Sequence, residues 1–145
     1  MDIYTNSMFK DYAQQIANLH SEIDNFSCKV VLQKDICEEF SGGKKDISAI
    51  RNYLRYLYNK GSKQLKYVLL FGDGTFDNKK VSFDGPYIFT FQTNESLNED
   101  NSICSDDFFG LLDKKEGVES SDLFKGEIDI AIGRFPVATK KEAEA

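Results

Sequence analysis

The chain has 145 residues, of which 41% are hydrophobic and 29% charged, the balance of one compact globular domain. A formal charge of −6 argues against a duplex-binding surface, because phosphate recognition rests on Lys and Arg displacing counterions. No apolar run approaches the roughly 18 residues that span a bilayer, and the opening MDIYTNSMFKDYAQ has no basic segment followed by an apolar one, so neither a membrane span nor a signal peptide is expected.

The first residues, DIYT, read as a short strand. From Asn6 or Ser7, either of which would cap a helix, Phe9, Tyr12, Ala13, Ile16, Leu19 and Ile23 recur at helical spacing. CKVVLQ is rich in β-branched residues and reads as a second strand ending at Lys34-Asp35. SGGKKD has the composition of a flexible loop, and Asp46 stands where a helix cap is wanted. Ile47, Ile50, Leu54 and Leu57 then form one apolar face, ended by Asn59-Lys60-Gly61.

The run Val68-Leu69-Leu70-Phe71 within KYVLLFGDG is continuously apolar, as a strand buried on both faces of a parallel sheet would be. Strand and helix therefore alternate, which predicts a doubly wound, flavodoxin-like α/β sandwich with a mainly parallel sheet. Regularity then weakens. YIFTFQT reads as a short strand or extended loop, residues 95–107 are polar and acidic, and FFGLLD is another brief element. Ile128, Ile130 and Ile132 alternate with Asp129 and Ala131 as a last strand stopped by Gly133 and Pro136. Thr139 with Glu142 makes a capping box for one further helix.

Parallel α/β sheets bind ligands beyond the carboxyl ends of their strands, so residues there are the candidates. Gly72-Asp73-Gly74 follows the third strand, where Asp73 and Asp77 could hold a cation; a tight turn with Asp73 accepting backbone N–H groups explains the same residues. A receiver-type phosphorylation site is excluded, because DIYTNS supplies no magnesium-binding carboxylates at the end of the first strand. Cys104-Ser105-Asp106-Asp107, with Asp113 beyond, is the densest acidic cluster. Its carboxylates could surround calcium, although it does not match the EF-hand spacing and a solvated loop pinned by Phe108 and Phe109 accounts for it equally.

Thiol catalysis needs an imidazole or other base beside the sulfur. His20 is the one histidine, on the first helix, and reads as a residue filling a helix–sheet boundary. Cys28 and Cys37 read as small core residues, and Cys104 is the thiol nearest the strand-end cluster. Three cysteines without CxxC spacing indicate neither a disulfide framework nor a zinc ribbon. The basic residues Lys63, Lys66, Lys79 and Lys80 are offset by acidic runs, and no phosphate loop is present.

Four segments in register, EEFSGGKKDISAIRNYLRYLY, KYVLLFGDGTFDN, ICSDDFFGLLD and GEIDIAIGRFPVATKKEAEA, resemble the gingipain-like cysteine peptidases, in particular their type IX secretion surface-sortase branch. The resemblance covers nearly the whole chain. It implies a caspase-like α/β fold, with residues 1–145 as the amino-terminal part of the peptidase domain. The family's catalytic histidine, in a His-Gly context, and its nucleophilic cysteine are expected later in the chain. His20 is followed by Ser21, and no cysteine here has the nucleophile's context. No catalytic residue is therefore expected among these 145, and the fragment alone is expected to be inactive. Asp73, Asp106 and Asp107 match family positions at the strand-end rim, where the resemblance implies structural calcium. It also implies protein or peptide substrates, other secretion-system proteins as partners, and an outer-membrane or cell-surface location.

Two alternatives from the residues alone are a free-standing flavodoxin-like binding module and a metal-dependent hydrolase using Asp73, Asp77, Asp106 and Asp107.

Overall fold

The computed structural model describes residues 1–61, 64–93, 103–113, 116 and 126–144. Lys63 and most of the acidic stretch 95–107 lie outside them. Four strands, β1 (Asp2–Thr5), β2 (Lys29–Leu32), β3 (Tyr67–Phe71) and β6 (Ala131–Phe135), form a fully parallel sheet in the order β2-β1-β3-β6. Helix α1 (Lys10–Ile23) connects β1 to β2, and α2 (Gln33–Ser41) and α3 (Ser48–Lys60) connect β2 to β3. A two-residue ribbon, β4 (Phe91–Gln92) with β5 (Cys104–Ser105), is antiparallel, and α4 (Lys140–Glu144) follows β6.

Strand alternation sorts the core into two layers. Ile3, Leu69 and Phe71 face α1 and pack with Phe9, Ala13 and Ala17. Tyr4, Val68 and Leu70 face α2 and α3 and pack with Ile36, Cys37, Ile50 and Leu54. Ile3, Phe9, Ile50 and Leu70 are completely buried, and each such side chain contributes about 1.5–3 kcal/mol to folding. The central strands β1 and β3 are thus apolar on both faces, which is why VLLF shows no alternation.

Several boundaries differ from the sequence expectation. A nine-residue helix, α2, follows directly on β2 where the strand was expected to fade into a loop. Ile36, Cys37 and Phe40 form its core face, and Gly42 ends it in the left-handed region at φ 61°. Neither Asn6 nor Ser7 caps α1, since both are drawn to residues 82–87 instead. Asp46 does cap α3, accepting the Ser48 N–H at 2.8 Å. Strand β6 begins at Ala131, later than the isoleucine alternation, and runs through Gly133 instead of stopping there. Asp129 explains the late start. Its N–H bonds Gly110 O, and its carboxylate accepts from Tyr58 Oη and the Leu112 N–H, so residue 129 is held by Tyr58 and the 110–112 segment.

Candidate functional site

Chain direction reverses around β1: one crossover leads out to β2, the next leads back across to β3. The carboxyl ends of β1 and β3 are therefore the topological switch point, where a parallel sheet opens a crevice. This protein fills that crevice with its own residues 82–89. The Asn6 amide donates to Gly85 O at 3.1 Å and Tyr87 O at 2.7 Å. Gln33, fully buried, donates to Asn6 Oδ1 and accepts from Tyr4 Oη and the Phe89 N–H. Asp73 joins the segment through a parallel bridge to Tyr87, donating its N–H to Pro86 O and accepting that of Ile88.

This close approach constrains both glycines around Asp73, and the backbone conformation constrains Gly72 as well. Gly72 has φ 151°, and a Cβ there would stand 2.8 Å from Pro86 O and from Ile88 Cγ1. A Cβ at Gly74 would meet Thr90 Oγ1 at 2.9 Å. The Asp73 carboxylate itself accepts the Gly74 N–H at 2.8 Å, the local turn bond expected of an aspartate in this setting. Asp77, further along, pairs with Lys80 at 3.0 Å, and that contact holds its carboxyl below the usual range.

Asp106 has a partner that sequence reasoning missed. Arg134 of β6 meets it with two parallel bonds, Nε to Oδ2 and Nη2 to Oδ1, both 2.7 Å. The same guanidinium donates to Gly72 O and Phe89 O at 3.2 Å each. The visible signal was an arginine inside an otherwise apolar strand, in GRF; its partner lies 28 residues away. Asp107 is exposed and opens the 3₁₀ turn Asp107–Gly110, its N–H bonded to Ser105 Oγ. Phe108 and Phe109 anchor that turn in the core as expected, Phe108 stacking on Phe91 at 4.2 Å.

The three candidate aspartates thus share one rim but different partners. Among the described residues, no group of three or more His, Cys, Asp or Glu side chains is placed to hold a metal ion. Calcium wants six to eight oxygens, and both oxygens of Asp106 already serve a guanidinium. This donor set does not fit the ion at Asp106.

Above the rim lies an open cleft of about 450 Å³, lined by Asp73, Thr75, Phe76, Tyr87, Thr90 and Cys104 among others. Phe76 is 86% exposed there. The one imidazole is at the other end of the sheet. His20 bonds Asp24 through Nδ1 and stacks on Phe26, which stacks on Tyr67 at the start of β3. Cys37 is fully buried, and burial pushes its thiol up. Cys28 is half-buried against the α1 layer. Cys104 is exposed in the cleft, and among the described residues no hydrogen bond joins a cysteine to His20. A thiolate–imidazole pair is not assembled from Cys104 and His20, which sit at opposite strand ends.

Comparison with known proteins agrees with this architecture. The family model of peptidase family C25 matches residues 1–145. Among solved structures, dimeric latent PorU from Porphyromonas gingivalis superposes with a TM-score of 0.80 and 32% sequence identity, over 98% of this chain. The chain spans 14% of the length of that protein. No curated protein matches.

Proposed function

The chain belongs to peptidase family C25, and from that premise we propose that it is the scaffold part of a gingipain-like cysteine peptidase domain that acts on protein substrates. Its fold is the caspase-like α/β layer of PorU, with the parallel sheet presenting its carboxyl-end rim. In this reading the sheet and the plugged switch point form a rigid wall. The thiolate that attacks the peptide carbonyl, and the imidazole that moves its proton, come from parts of the peptidase outside residues 1–145.

The observation that carries the proposal is the separation of Cys104 from His20 by the length of the sheet, in a chain whose family is otherwise clear. These 145 residues alone are inactive in this reading. The finer assignment, to the surface-sortase branch with secreted cargo as substrate and secretion-system proteins as partners at the cell surface, is supported by the identity with PorU.

A peptidase assay of residues 1–145 against a longer polypeptide carrying a later His-Gly and cysteine tests this. Turnover is expected only in the longer form. Turnover by the short form, abolished in Cys104→Ala, overturns the proposal. Cargo cleavage without transfer to a surface acceptor removes the sorting assignment and leaves the peptidase one.

A further inference from the structure

Arg134 is surrounded as a metal ion would be. Its guanidinium gathers four oxygens from three separate segments: both carboxylate oxygens of Asp106 at 2.7 Å, and the carbonyl oxygens of Gly72 and Phe89 at 3.2 Å. Carboxylates and backbone carbonyls are the donors that hard divalent cations collect. Here a permanent positive charge with a planar fork is delivered to them on a strand.

We propose that Arg134 is the built-in cation of the strand-end rim, and that the Asp106 carboxylate serves this guanidinium and not calcium. Three observations converge. The pair is largely enclosed, with side-chain exposure of 12% for Arg134 and 25% for Asp106. A calcium ion that took the Asp106 oxygens from the guanidinium would leave the Arg134 charge unpaired beside the Gly72 and Phe89 carbonyls, an outcome that enclosure makes unfavourable. The anchor also sits where the walls of the cleft meet. Gly72 precedes Asp73, Phe89 precedes Thr90, and Asp106 follows β5 with Cys104, so all three walls hang on one side chain. Arg134 is a positioning residue for the rim, and it works without any dissolved ion. The inference does not depend on the peptidase reading.

Thermal unfolding of the 145-residue chain in calcium and in chelator tests it. At about 5 mM calcium, a bound ion would raise Tm by mass action. Wild type is expected to melt at the same temperature in both conditions. Asp106→Asn is expected to melt lower than wild type by an equal amount in both. A calcium-dependent rise in wild type that vanishes in Asp106→Asn overturns the proposal; a rise that persists in that variant places the ion elsewhere and supports it. A second readout needs no variant. The Arg134 Nε–H resonance of wild type is expected to exchange slowly and to stay in place as calcium is added, and its displacement by calcium overturns the proposal.

Discussion

Gly72 shows how one residue carries the geometry of the rim. Its φ of 151° lies where side chains are disfavoured, and a Cβ would press on the backbone oxygen of Pro86, which cannot swing away. Gly133, on β6, is the natural contrast, because a Cβ built there meets nothing within 4 Å. Gly72→Ala is expected to cost about 2 kcal/mol or more, combining backbone strain with overpacking. Gly133→Ala is expected to change stability by less than about 1 kcal/mol, with any change favourable, since glycine weakens a strand interior. Urea unfolding of the two variants checks this, and equal losses would show that the close approach of residues 86–88 is not tight. The turn around Asp73 was legible from GDG. The network of Asn6, Gln33 and Arg134 was not, because their partners lie between 27 and 81 residues away, and no local spacing encodes such a bond.

At the scale of elements, the best-read feature is the start of α4. Thr139 Oγ1 accepts the Glu142 N–H at 3.2 Å, and Glu142 Oε2 accepts the N–H groups of Ala138 and Thr139 at 2.8 and 3.0 Å. Those backbone donors, Ala138 first, hold the Glu142 carboxyl below its ordinary range. A depressed folded-state value means that the cap's contribution is present above the ordinary glutamate pKa and is lost as pH falls through the depressed one. The N–H groups of Ala138 and Thr139 are therefore expected to lose protection from exchange as the solution is acidified below that range. In Glu142→Gln their exchange is expected to carry no such acid-dependent loss. An acid transition that survives the substitution would assign it to another group. The capping box could be read because both partners lie within one turn. Helix α2 could not, because Leu32 precedes it with no side-chain cap and KVVLQ runs into it without a turn signal. The isoleucine alternation misplaced the start of β6 for a related reason: periodicity shows which face a residue prefers, but the Asp129 carboxylate and its distant donors Tyr58 and Leu112 decide where sheet pairing begins.

For the whole molecule, the consequence of the layered plan is that two hydrophobic clusters share one wall. Ile3 belongs to the α1 cluster and Ile50 to the α2–α3 cluster, both fully buried, yet Ile3 and Tyr4 are neighbours on β1 that face opposite ways. Neither cluster can lose the sheet without exposing the other, so a domain of this size is expected to unfold in one cooperative step. Ile3→Val and Ile50→Val should each cost about 0.5–1.5 kcal/mol. Because the two side chains are on opposite faces and touch no common cluster, their costs should add within about 0.5 kcal/mol in the double variant. The urea m-value should stay constant throughout, and far-ultraviolet circular dichroism and tyrosine fluorescence should report one midpoint. Two midpoints, or a reduced m-value in the Ile3 variant alone, would mean that the α1 layer opens while the α2–α3 layer stays folded. The strand-end rim would then stand on half a domain, since Asn6 enters it from the β1–α1 connection and Gln33 from the first residue of α2. A single transition instead makes the rim as stable as the molecule, because both layers that supply its residues then open together.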